Sequence, residues 1–335
     1  MWATLAFSAA VLLVSQPAPA GGPDPSPVRR AVARALPPIE RSVQEYPAHR
    51  DCFSCHHQAV PALALSLARA RGFPVATDAI DAIREVTLSD LEGAREAYRA
   101  GKGQPGGVTR AGYALWTLAL TGAPEGDPAD AVAGFLAGKD DADGAWKTSS
   151  NRPPSEASPF TTTLVALRGL EAFGPRDADA RRQRAREWLE RARPKPGDAE
   201  DHAFRLMGLR LAGAAAARVR EAADALIALQ RQDGGWGQVD GRPSDAYATG
   251  SALYAIHTAG DVPVDAPAYR RGAAFLVATQ REDGTWHVAS RSKAFQPYFE
   301  SGFPHGKDQF LSIAASAWAA AALALACPDS HSPSH

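Results

Sequence analysis

Asp143-Gly144-Ala145-Trp146, Asp233-Gly234-Gly235-Trp236 and Asp283-Gly284-Thr285-Trp286 share the pattern Asp-Gly-x-Trp, and this recurrence decides the fold. Asp-Gly favours a tight turn, because glycine takes positive φ without a side-chain clash. The tryptophan two residues on is large and apolar, suited to packing back between helix ends. Matching stretches, Ala228-Leu229-Gln230-Arg231 and Ala278-Thr279-Gln280-Arg281, precede the second and third copies. After each copy comes a polar stretch and then an apolar run rich in Ala and Leu, over 160–173, 246–259 and 309–326. Each unit reads helix, turn, tryptophan, loop, helix.

The same rhythm recurs without the tryptophan in three places. Residues 80–100 lead through the glycine-rich 101–107 into 110–120, and 178–192 lead through 194–197 into 201–212. Residues 28–46 lead through Cys52-Phe53-Ser54-Cys55-His56 into 59–71. A spacing of about 40 to 60 residues suits one two-helix unit with its loop. First helices such as 181–193 carry many charges, as an outer helix facing solvent should; second helices such as 161–173 and 312–326 are apolar nearly all round, as inner helices must be. Six hairpins predict an all-α fold, a double-layered α/α toroid whose closure leaves no ends to cap. Trp146, Trp236 and Trp286 are expected to staple it together.

The chain has 335 residues, 45 % hydrophobic and 22 % charged, with a net charge of −1, enough to bury a sizeable core. No basic run interleaves with aromatics, which argues against a nucleic-acid partner. Residues 5–14 are apolar but short, and Ala18-Pro19-Ala20 follows as a small-x-small cleavage pattern. The division expected is a signal peptide over 1–20, a linker over 21–27, the toroid over 28–327 and a flexible tail over 328–335. Export to the periplasm or medium follows. Residues 313–327 form a second apolar stretch, too short to span a bilayer, so no integral membrane segment is expected after cleavage. Three cysteines cannot make a disulfide scaffold.

The Gln-x-x-Asp-Gly-x-Trp units resemble the repeats of squalene–hopene cyclases and of prenyltransferase β-subunits. Ser301-Gly302-Phe303-Pro304 is similar to the Gly-Phe-Pro segment before the last helix of hopene cyclases, and Gly241-Arg242-Pro243-Ser244-Asp245 to a Gly-Arg-Pro…Asp segment of prenyltransferases. The resemblance covers about 80–326 and implies the toroid; it is not specific for a reaction. Cyclases of this kind use an Asp-x-Asp-Asp acid at the start of an inner helix. The matching stretch here is Glu156-Ala157-Ser158-Pro159, with one carboxylate. Asp140-Asp141-Ala142-Asp143 belongs to the repeat turn. The prenyltransferase zinc site would need a Cys and a His beside Asp245, and neither has a counterpart. The resemblance therefore implies neither acid-initiated cyclisation nor thiol activation by zinc.

One chemical motif remains. Cys52, Cys55 and His56 have the spacing of covalent haem attachment, with two thiols for the vinyl groups and a histidine for the iron. A disulfide or redox pair, zinc held with His56 or His57, and plain packing compete with it. The run stands where Asp-Gly-x-Trp stands in other hairpins, at the mouth of the expected central cavity. Tyr113, Phe160, His202, Tyr247 and Phe310 are candidates to line that mouth. A second axial ligand is sought in the long loop before the last helix, first His305, then His287, with His202 and His49 behind; Met207 reads as packing. The functional expectation is a c-type haem protein with an electron-transfer or redox role and a redox partner protein. If an enzyme, it is a haem-dependent oxidoreductase rather than an acid-initiated cyclase. The alternatives are a haem-free binder of an apolar or terpenoid molecule and a non-catalytic interaction scaffold.

Overall fold

The computed structural model describes residues 26–139, 143–175, 179–293 and 297–328. The expected signal peptide, most of the linker and tail, and Asp140 and Asp141 lie outside the described residues. Among the described residues there is no strand, only two isolated bridges, Arg152 to Glu156 and Gly237 to Ser244.

Thirteen helices are described. Six form the inner ring: α2 (Val60–Ala70), α5 (Gly107–Leu120), α7 (Pro159–Phe173), α9 (Ala199–Leu211), α11 (Ala246–Thr258) and α13 (Gln309–Leu325). Each packs on the next in that order, and α13 returns to α2, closing the circle. The outer layer is α1 (Pro27–Glu45), α3 (Thr77–Gly93), α6 (Asp127–Gly138), α8 (Asp179–Arg191), α10 (Ala216–Ile227) and α12 (Pro267–Thr279), with a short α4 (Arg95–Arg99) beside α6. The single helix expected over 80–100 is split at Ala94, whose φ of −111° and ψ of 4° leave the helical region just after Gly93.

Inner helices start where local chemistry satisfies their first N–H groups. Ser158 Oγ accepts from Phe160 and Thr161 N at α7, and Asp198 accepts from Glu200 and Asp201 N at α9. Asp245 caps α11 through Ala248 N, so this carboxylate serves as a helix cap. Glycine permits the closest helix approach: a Cβ on Gly250 in α11 would come within 2.6 Å of the Trp318 carbonyl carbon in α13.

The three tryptophans repeat one set of bonds. Their indole N–H groups donate to Leu136, Leu226 and Leu276 O at 3.0, 2.8 and 2.9 Å. Their backbone N–H groups donate to Thr163, Thr249 and Ser316 hydroxyls on the inner helices. In the last copy the same unit closes the ring. Gln280 Nε2 bridges Gly284 O and Ala31 O in α1, each at 2.8 Å. Gly284, at φ 84°, has no room for a Cβ against the Arg34 carbonyl of α1.

The expected central cavity is not seen along the middle of the ring. Trp318 is fully buried on the axis and contacts Trp116, Phe204 and Tyr254 at ring-centroid distances of 6.5, 6.2 and 5.4 Å. Large aromatic side chains fill the space that inner helices alone would leave. The 306–325 stretch is helical for twenty residues, long and apolar enough to cross a membrane. Its burial within the ring, 89 %, makes it a core helix.

Candidate functional site

The Cys52–His56 segment lies where the sequence reading places it, between α1 and α2, and its turn packs against α5 and α13. Cys55–Ala59 forms a π-helical turn that runs into α2. Cys52 and Cys55 are free thiols. Cys52 Sγ is 3.8 Å from Tyr46 Oη, and Cys55 is buried. Burial pushes the Cys55 thiol well above its ordinary range, and the Glu156 carboxylate beside it pushes the same way. Burial lowers the His56 pKa, opposed by Glu156 and assisted by Arg152. His57 is fully buried, stacked on Tyr46 at 4.8 Å and edge-on to Phe310 at 5.6 Å, with neither ring nitrogen partnered among the described residues. Burial and the neighbouring His56 lower its pKa to about 3, so it is neutral.

The donor types suit a covalent haem, and Cys52 and His56 are part-exposed, whereas Cys55 is buried. A macrocycle bonded to both thiols and lying on His56 needs an open face at all three side chains. Cys55 is only 5 % exposed, and its thiol and the His56 ring both feel the charges of Glu156 and Arg152. Glu156 is itself ion-paired with Arg152 and accepts from Ser150 Oγ at 3.2 Å. The candidate axial ligands hold partners of their own. His305 Nε2 shares a 2.7 Å hydrogen bond with Thr285 Oγ1, and His287 Nε2 pairs with Asp308 Oδ2 at 2.8 Å. Their two rings lie 5.0 Å apart at the exposed base of α13. Among the described residues no group of three His, Cys, Asp or Glu side chains converges as a metal site.

A second cluster sits at the head of the ring axis, and the sequence reading missed its central residue. Glu200, in the first turn of α9, is buried and accepts from Ser155 N at 2.8 and 3.0 Å and from Thr161 Oγ1 at 2.7 Å. Burial raises its pKa to about 7; the Thr161 bond works against this and the Asp198 charge with it. A carboxyl poised there can give or take a proton near neutral pH. The available signal was Asp198-Ala199-Glu200-Asp201, a run of carboxylates opening an inner helix. Tyr247 Oη shares a 2.7 Å hydrogen bond with Ser155 Oγ beside it.

Two loops roof this cluster. Residues 150–158 reach Glu200 and Tyr247 through Ser155. From the loop before α13, Ser292 Oγ donates to Pro153 O at 2.6 Å and Arg291 Nε to Gln238 Oε1 at 2.8 Å. Of the expected mouth residues, Tyr113 and Tyr247 belong to this cluster. Phe160 packs on Trp188 instead, His202 is part-exposed and bonded to Asp198 O, and Phe310 packs on His57 and Phe299. Met207 is buried in α9, as expected.

A closed ring of six helix hairpins with this stapling is the α/α toroid of type II terpene cyclases. Residues 202–314 match the family described as squalene-hopene cyclase C-terminal domain. Squalene–hopene cyclase of Bradyrhizobium diazoefficiens is 36 % identical over 113 residues, covering 28 % of this chain and 16 % of that enzyme. Among solved structures, a protein from Actinoplanes aligns over 90 % of this chain and 100 % of its own, at 18 % identity and a TM-score of 0.62. The type II terpene cyclase MstE from Scytonema aligns over 90 % and 98 %, at 16 % identity and a TM-score of 0.56. These likenesses establish the fold, and the matched cyclase sequence is a small part of a longer protein.

Proposed function

We propose that the ring binds an apolar, terpenoid-like molecule at the head of its axis and carries no covalent haem. The observation behind this reading is the layering of the axis: an aromatic column of Trp318, Trp116, Phe204 and Tyr254 lies below a polar group of Tyr247, Ser155 and Glu200. Apolar walls with few placed polar groups are the usual make-up of a small-molecule site. MstE, of the same fold, has been solved with geranylgeranyl dihydroxybenzoate as substrate. Titration with a linear terpenoid is expected to give a saturable, one-to-one change in tryptophan fluorescence, because Trp116 and Trp318 lie on the axis. No saturation up to the solubility limit would contradict the reading.

Glu156 is committed to Arg152 and Ser150. Squalene or a linear diphosphate is therefore expected to give no cyclised product through it. A product that disappears in Glu156→Gln would overturn that expectation.

The Cys-x-x-Cys-His run supports a second reading, in which Cys52 and Cys55 hold a haem and His56 ligates its iron. Bound haem would supply electron transfer or small-ligand chemistry. The reading requires export, for which residues 1–20 are the basis, and opening of the segment around the buried Cys55.

A further inference from the structure

Two buried hydrogen-bonding groups at the head of the axis have no partner among the described residues. The Tyr113 hydroxyl, in the first half of α5, is fully enclosed and unpaired, with Tyr247 and Cys55 among its neighbours. The Trp318 indole N–H, in α13, is fully enclosed and unpaired, and faces the Tyr247 hydroxyl without reaching a good hydrogen bond. The two groups thus flank Tyr247 from different helices. An enclosed donor without an acceptor costs free energy, and Trp Nε1 can only donate. What both lack is an acceptor oxygen.

Tyr247 already has one, Ser155 Oγ at 2.7 Å, which belongs to the roof. Side-chain bonds tie the roof across the ring, Ser292 to Pro153 O and Arg291 to Gln238 among them. A molecule entering from above that turned the Ser155 side chain away would break one hydroxyl contact and leave the bonds from Ser155 N to Glu200 in place. Its own oxygen would then stand among three donors.

We propose that this place recognises a carbonyl, ether or hydroxyl oxygen on an otherwise apolar skeleton, held by Tyr113, Tyr247 and Trp318. The ligand class is thus an oxygenated terpenoid rather than a bare hydrocarbon. This rests on the proposed function and narrows it. Tyr113 and Trp318 are specificity-determining groups, and Ser155 is the roof residue exchanged for ligand.

The test is a calorimetric titration of the full chain with farnesol, farnesal and farnesene. Farnesol or farnesal is expected to bind at least tenfold more tightly than farnesene. Tyr113→Phe, which keeps the ring and removes only the oxygen, should reduce that preference about tenfold while leaving farnesene binding and the thermal midpoint unchanged. Trp318→Phe should act the same way on selectivity, and its thermal midpoint reports whether it folds. Binding of all three probes with equal affinity, unaffected by Tyr113→Phe, would overturn the inference and leave the proposed function standing. Binding of none would overturn both. A marked fall in the Tyr113→Phe midpoint without a change in selectivity would show that the hydroxyl serves only a structural water, and would also overturn it.

Discussion

Trp286→Ala is expected to destabilise the protein by about 3–5 kcal/mol, the usual cost of deleting a buried tryptophan. Trp286 is 2 % exposed, its indole N–H donates to Leu276 O, and its backbone N–H donates to Ser316 on α13. The turn that carries it also ties α12 to α1, through Gln280 and Gly284. The loss therefore falls on the contact that converts a row of hairpins into a ring. Urea denaturation should show a lower midpoint, and proteolysis should begin near the seam between the sixth and first hairpins. Trp286→Phe keeps most of the volume and loses the indole bond, so its cost should be clearly smaller. A loss below about 0.5 kcal/mol in Trp286→Ala would contradict the staple role, since that is the range of ordinary surface changes.

The second large effect is a pH dependence centred on Glu200. Burial raises its folded-state pKa from 4.5 to about 7. The folded protein consequently binds this proton more tightly than the unfolded chain does. The stability so contributed is full below about pH 4.5 and is lost as pH rises through about 7. A shift of this size corresponds to about 3 kcal/mol. The groups that face Glu200 are Asp198 on its own helix, Thr161 on α7, Ser155 and Arg291 from the roof, and the hydroxyls of Tyr113 and Tyr247. Glu200→Gln has no proton to lose. Stability measured from pH 4.5 to 8 should fall more steeply in the wild type than in this variant. Equal slopes would show that Glu200 titrates as an ordinary exposed carboxylate.

The ring was legible in the sequence because its determinants are local and repeated. The Asp-Gly turns, the spacing of the tryptophans and the contrast between 181–193 and 161–173 are visible without any tertiary contact. Helix starts near 59, 110, 160, 201, 246 and 309 each fall within about three residues of the inner helices. The site was less legible, because its geometry depends on contacts far apart in the chain. Nothing near Glu200 in sequence says that Ser155, 45 residues earlier, will enclose it. Likewise, the filling of the axis follows from the meeting of Trp318 with Trp116 and Phe204, from three different hairpins. In the sequence, His305 and His287 stand out as iron ligands for their place in a long loop. That loop brings them to Thr285 and Asp308, at the base of α13, instead. Cys52, Cys55 and His56 do lie together, as local sequence requires, yet burial of Cys55 against Glu156 depends on the loop before α7.

The most direct test of a haem-free ring is the state of Cys52 and Cys55 in protein produced in a host with haem-attachment machinery. The chain should be denatured, treated with an alkylating reagent and examined by intact mass and by absorption. The account predicts a mass equal to the polypeptide with all three cysteines alkylated, and no Soret band. A Soret band that survives denaturation, with Cys52 and Cys55 refractory to alkylation, would contradict it and establish the covalent haem in its place.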